Sequence, residues 1–283
     1  MSQPDEMTPA AAAAIAFEIA LLLGGLGLTW RLVVRPGARP AREALLAEWS
    51  VSPIEFASFI CYGLLGATAL SGIAGLVVRR LSMGRDAATV VGSAVMEGGF
   101  LLGLWAFRLT RRAGAPGGDR RPSLVRALTS GLTTFLVAMP LVFAASNAWE
   151  FALNRMGLPD EKQELVGILE NTNSTALRWL FVAVATFLVP AAEELLFRAG
   201  LFRYLRTRAP RWVAIGLTSV LFGALHVAWG DRMAGLPSLL PLTVLAVVFC
   251  LAYERTGTIG TTIVAHACFN VNTMLLVVAG IGS

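Results

Sequence analysis

About eight apolar runs, each near the ~20 residues that cross a bilayer as a helix, divide this chain. They fall near residues 10–34, 54–78, 87–107, 124–148, 178–203, 212–229, 234–253 and 257–280 of a sequence 283 residues long. In hydrocarbon every backbone N–H and C=O must find its partner within the protein, so runs of this length admit helices and exclude lipid-exposed coil. The expected fold is therefore all-α, a polytopic transmembrane helical bundle. Composition agrees: 56% hydrophobic and 14% charged residues, with a mean hydropathy of +0.68, leave too little polar surface for a soluble domain of this size. The acidic N-terminus lacks a basic leader, and the apolar run behind it is too long for a cleaved signal, so it reads as a retained first span.

A formal net charge of +5 would suggest nucleic acid in a soluble protein. Here the arginines sit between apolar runs, which makes them topology signals and argues against a nucleic-acid partner. Arg31, Arg35, Arg39 and Arg42 occupy one connection, Arg108, Arg111, Arg112, Arg120 and Arg121 a second, and Arg203, Arg206, Arg208 and Arg211 a third. These are alternate loops, so the positive-inside rule places them in the cytoplasm and both termini outside. Arg79, Arg80 and Arg85 dissent from that pattern. The connection 150–175 is the most acidic, and a turn at Gly157 to Asp160 predicts a short amphipathic helix over 161–169. Cys61, Cys250 and Cys268 are scattered and odd in number, which supports neither a disulfide framework nor a zinc ribbon. Lys162 is the single lysine, and the arginine, alanine and glycine bias points to a GC-rich bacterial genome and hence an inner-membrane location.

Charge inside an apolar run is costly enough to demand a function or a partner. Glu18, Glu55 and Glu97 are lone acids in or beside the first three runs, and read as contacts to a neighbouring helix or headgroup. The fifth run is different, because Glu193, Glu194 and Arg198 interrupt it together. On a helix Glu194 and Arg198 share a face at i and i+4 in the favourable acid-first order. Glu193 points about 100° away and is left to act on something else.

The sequence has two histidines, both in late apolar runs: His226 four residues after Phe222, and His266 four residues before Asn270. Depth can be counted from the basic flanks at ~1.5 Å per residue: Glu194 lies about 18 Å from Arg206, His226 about 22 Å from Arg211 and His266 about 17 Å from Arg255. The three motifs can meet at one level, in a polar cavity between the fifth, sixth and eighth spans. There a carboxylate and an imidazole can polarise a water, while a second imidazole and an amide can donate to an oxyanion. That chemistry is amide hydrolysis without a serine or cysteine nucleophile. The same His226, His266 and Glu193 could alternatively hold zinc, with a fourth position for water, although the H-E-x-x-H signature is absent.

These motifs, in this order, resemble those of the CPBP superfamily, which groups type II CAAX prenyl proteases with bacterial relatives linked to bacteriocin processing, self-immunity and lysostaphin resistance. The resemblance covers roughly residues 175 to 280, and it departs from the family pattern at Ala199, where many relatives carry glycine. It implies a catalytic set of Glu193, Glu194, His226, His266 and Asn270. Within it Glu193 and His226 would activate water, His266 with Asn270 would form the oxyanion site, and Glu194 with Arg198 would stabilise the cavity. Arg198 and Phe222 are implied as structural support. The family is often called metalloproteolytic, yet a glutamate-dependent mechanism without metal fits these residues equally well.

The expectation is an intramembrane endopeptidase acting on a membrane-associated protein or peptide, with a catalytic core at residues 175–283, a linker at 151–174 and a four-span region at 1–150 of unassigned role. Two rivals use the same cavity differently: a non-catalytic binding or bacteriocin-immunity protein, and a proton-relaying transporter. A transporter would more naturally show two similar halves, which are not visible here.

Overall fold

The computed structural model describes residues 8–35, 45–110, 123–158, 172, 174–228 and 233–280. The helix expected over 161–169 and most of the arginine-rich loops lie outside them. Among the described residues there is no strand. Helix α1 spans Pro9–Thr29 and continues as a π-helical turn, Trp30–Val34. Helices α2 (Pro53–Arg80), α3 (Arg85–Thr110) and α4 (Leu124–Met156) follow. Helix α5 runs Thr175–Arg206 and widens to π-helix over Val184–Leu188 and again over Leu195–Phe202. Helix α6 spans Arg211–Ala224, α7 Leu239–Thr256 and α8 Ile259–Val278. Among the described residues seven of these eight helices are long and apolar enough to cross a membrane, so the chain is an integral membrane helical bundle.

The exception is α6. Its 14 residues reach about 21 Å, short of the ~30 Å hydrocarbon thickness. The run 212–229 is thus helical only to Ala224, and His226 stands in the turn beyond it. Large apolar side chains such as Leu65, Leu76, Phe187 and Val278 are exposed on the outer faces, where water would penalise them and lipid does not.

Local chemistry explains where the helices start and stop. Ser52 and Glu55 form a capping box at the head of α2, so the acid at the edge of the second run serves a helix terminus. Gly257, at φ 65°, ends α7 in the left-handed conformation, and a Cβ there would also collide with the carbonyl of Leu45. Helices α2 and α3 pack through Gly66, Gly99 and Gly103, where any side chain would strike the facing backbone. Small residues of this kind let membrane helices approach to backbone contact.

Buried polar links fasten the rest. Asn272 of α8 donates to Glu18 of α1 at 2.5 Å, which gives the lone acid of the first run a helix partner. Glu254, nearly buried on α7, accepts from Arg206 at 2.8 Å and Arg211 at 2.6 Å and so ties the α5–α6 connection to the end of α7. Arg203 Nε reaches the Ala47 carbonyl at 2.8 Å, and Arg208 reaches that of Val51. Aromatic packing then builds the wall behind the site: Phe197, Phe222 and Ala246 join α5, α6 and α7, while Phe135, Phe249 and Phe269 join α4, α7 and α8.

Candidate active site

The two π-helical stretches bracket a short α-helical segment of α5, Val189–Glu194, that carries both acids. Such wide turns rotate the side chains that follow them and recur at functional sites. Here Glu194 is fully buried against Arg198, which is also fully buried, with Nη1 to Oε1 at 2.9 Å. The guanidinium lies 4.4 Å from the Phe222 ring centroid and 5.2 Å from that of Phe249. Phe222 thus supports the site by stacking on a desolvated cation, the setting in which cation–π attraction is strongest.

The same Oε1 of Glu194 takes a second bond, from His266 Nδ1 at 2.9 Å. A carboxylate can only accept, so Nδ1 carries the proton and Nε2 is turned toward Glu193. Glu194 does not line the cavity. It holds His266 in one orientation, and Arg198 in turn holds Glu194.

Glu193 sits between the two imidazoles. Its Oε1 is 3.6 Å from His226 Nε2, and its Oε2 is 3.7 Å from His266 Nε2. Both separations exceed a direct hydrogen bond. His226 Nδ1 lies 2.7 Å from the carbonyl of Phe222 in the last turn of α6. That carbonyl belongs to the group a helix end leaves without an intrahelical partner, and accepting a proton from the ring satisfies it. With Nδ1 the donor to that carbonyl, Nε2 is the ring nitrogen that faces Glu193.

Asn270 lies one turn after His266 on α8 and donates Nδ2 to the carbonyl of Ala185 at 2.7 Å. Ala185 belongs to the first π-helical stretch of α5. One of the two amide protons of Asn270 is thereby used to fix the side chain, and the residue still lines the cavity.

The cavity measures about 490 Å³, and Glu193, His226, His266 and Asn270 all open onto it. The three motifs expected to meet do meet. Glu97 also lines it, together with Val90 and Ser93 of α3. Sequence reading treated Glu97 as a structural acid because a lone carboxylate in an apolar run does not disclose which way it faces. Its spacing from Val90 and Ser93, i+7 and i+4, is the available signal, since those positions share one helix face.

The zinc alternative through His226, His266 and Glu193 is not supported by this arrangement. Among the described residues no group of three or more His, Cys, Asp or Glu could hold a metal ion.

No curated protein and no solved structure matches the chain. Residues 175–272, which carry all three motifs, match the family model described as type II CAAX prenyl endopeptidase Rce1-like, in keeping with the CPBP resemblance.

Proposed function

We propose that the protein is an intramembrane endopeptidase of the inner membrane of a bacterium, hydrolysing a peptide bond in a membrane-associated protein or peptide. Residues 175–283 would carry the chemistry. The observation that carries the reading is the placement of Glu193 between two imidazoles at 3.6 and 3.7 Å. Both separations are too long for a direct hydrogen bond and leave room for a water that bridges the carboxylate and an imidazole.

Two acceptors 3.6 Å apart can share one water that donates to each at about 2.8 Å. Glu193 and His226 Nε2 would both draw on its protons. The water oxygen attacks the scissile carbonyl carbon while Glu193 takes the proton, and the carbonyl oxygen becomes an oxyanion. His266, its Nδ1–H committed to Glu194, would meet that oxyanion through Nε2 when that nitrogen also carries a proton, and the second amide proton of Asn270 would be the other donor. Collapse breaks the C–N bond, and the proton held by Glu193 passes to the leaving amine. Water is consumed, and a carboxylic acid and an amine are released.

The test uses the purified full chain in liposomes. Membrane proteins digested with a glutamyl-specific endopeptidase provide peptides that retain internal lysine and arginine, and mass spectrometry reads new termini. New termini that appear with the parent and fall ~10²–10⁴-fold with His226→Ala are the expected result. A folded parent that cleaves nothing overturns the proposal.

A further inference from the structure

The catalytic reading uses one carboxylate of the cavity and leaves the other without a task. Glu97 comes from α3, outside the matched residues 175–272, yet lines the same space as Glu193, His226 and His266. Val90, Ser93 and Glu97 recur at i, i+3 and i+7, so one stripe of α3 forms a wall of the cavity. The rest of that wall is largely apolar: Phe181, Val184, Val189, Leu242 and Met274. Among the described residues neither a hydrogen bond nor an ion pair joins Glu97 to a partner. Its carboxylate and that of Glu193 open onto the same cavity.

A second acid beside the water-activating one is unfavourable for the empty site, because two anions in a poorly solvated space repel. It becomes favourable when a cation enters. Neither Arg198, stacked behind Phe222 and bonded to Glu194, nor the arginines gathered on Glu254 line the cavity. Among the described residues no arginine or lysine lines the cavity, which leaves Glu97 available to a cation that a ligand brings.

We infer that Glu97 is a specificity residue: it pairs with a lysine or arginine side chain of the substrate close to the scissile bond, while the apolar wall takes the hydrophobic residues around it. This inference rests on the proteolytic reading. It assigns to the N-terminal region a part in choosing the substrate, because α3 supplies the acid. An isolated cation would not be drawn into such a space, whereas one carried on an apolar peptide can reach it and find its counter-ion there.

The same peptide digest separates the two claims. Cleavage by the parent should be enriched for lysine or arginine at one position within a few residues of the cut. Glu97→Gln should lower the ratio of cleavage at basic-flanked to neutral sites about ten- to hundredfold, the effect of losing a charged hydrogen bond. Glu97→Lys, as a second variant, should shift the preference toward aspartate or glutamate at that position. A structural role for Glu97 would change the overall rate but leave the ratio alone. Cleavage by the parent without basic enrichment, or enrichment that survives in Glu97→Gln, overturns the specificity assignment and spares the protease. A folded parent that cleaves nothing overturns both.

Discussion

Replacing Arg198 by alanine removes the cation from the most enclosed charged pair in the site. Both partners are fully buried, and the bond between them is 2.9 Å. Breaking such a pair costs ~3–5 kcal/mol, because the remaining charge stays in low dielectric. Loss of the stacking against Phe222 and Phe249, at 4.4 and 5.2 Å, adds up to ~2 kcal/mol. Glu194 would keep one donor, His266 Nδ1, which holds the sum toward the lower end of that range. For a domain of this size ~3 kcal/mol corresponds to a fall in melting temperature on the order of 10 °C. The assay is thermal unfolding of detergent-purified protein followed by tryptophan fluorescence, with light scattering to detect aggregation. Arg198→Lys should recover only part of the loss, since an ammonium neither stacks as a plane nor matches the carboxylate as a guanidinium does. The double variant Glu194→Gln/Arg198→Met should melt above Arg198→Ala, because it leaves no unpaired buried charge. Arg198→Ala melting within a degree of the parent would refute the reasoning, and so would a double variant that melts lower than the single one.

Phe222→Ala should destabilise by ~3–5 kcal/mol through the cavity it leaves, read in the same melt, since the ring is fully buried between Phe197 and Arg198. Cleavage should survive dialysis against a chelator, because the residues facing Glu193 act as proton donors and acceptors in the mechanism drawn above; loss of cleavage with recovery on adding zinc would contradict it. Cysteines introduced in loop 108–122 should resist membrane-impermeant labelling in intact cells, as the arginine pattern expects, while one placed near the N-terminus should react. Labelling of the loop would invert the topology.

The three motifs were legible because depth is arithmetic on a helix: counting residues from basic flanks brought Glu194, His226 and His266 to one level, and the structure joins them through Glu193 and Glu194. The Glu194–Arg198 pair was legible for a similar reason, since i and i+4 spacing survives the widening of α5. What escaped depended on direction or on helix ends. Glu97 looked like any lone acid because position along a helix does not say which neighbour it meets. Glu194 was expected to pair with Arg198 and stabilise the cavity, and it does more by orienting His266 from a helix 72 residues away in sequence, a contact that no local spacing encodes. His226 was expected within a span, yet α6 stops at Ala224 and the ring instead satisfies the carbonyl of Phe222. The π-helical stretches carry no compositional mark, so the use of the Ala185 carbonyl to hold Asn270 could not be anticipated.

The central claim is that Glu193 takes a proton from water, and Glu193→Gln tests it most directly. The amide keeps the size and polarity of the carboxylate but cannot accept that proton. With its side chain 21% exposed toward the cavity, the substitution should leave the melting temperature near that of the parent. Cleavage of the peptide digest in liposomes should then fall ~10²–10⁴-fold in a protein that is fully folded. Full activity in folded Glu193→Gln would contradict the account, and a cavity that binds a partner without cutting it would become the better description.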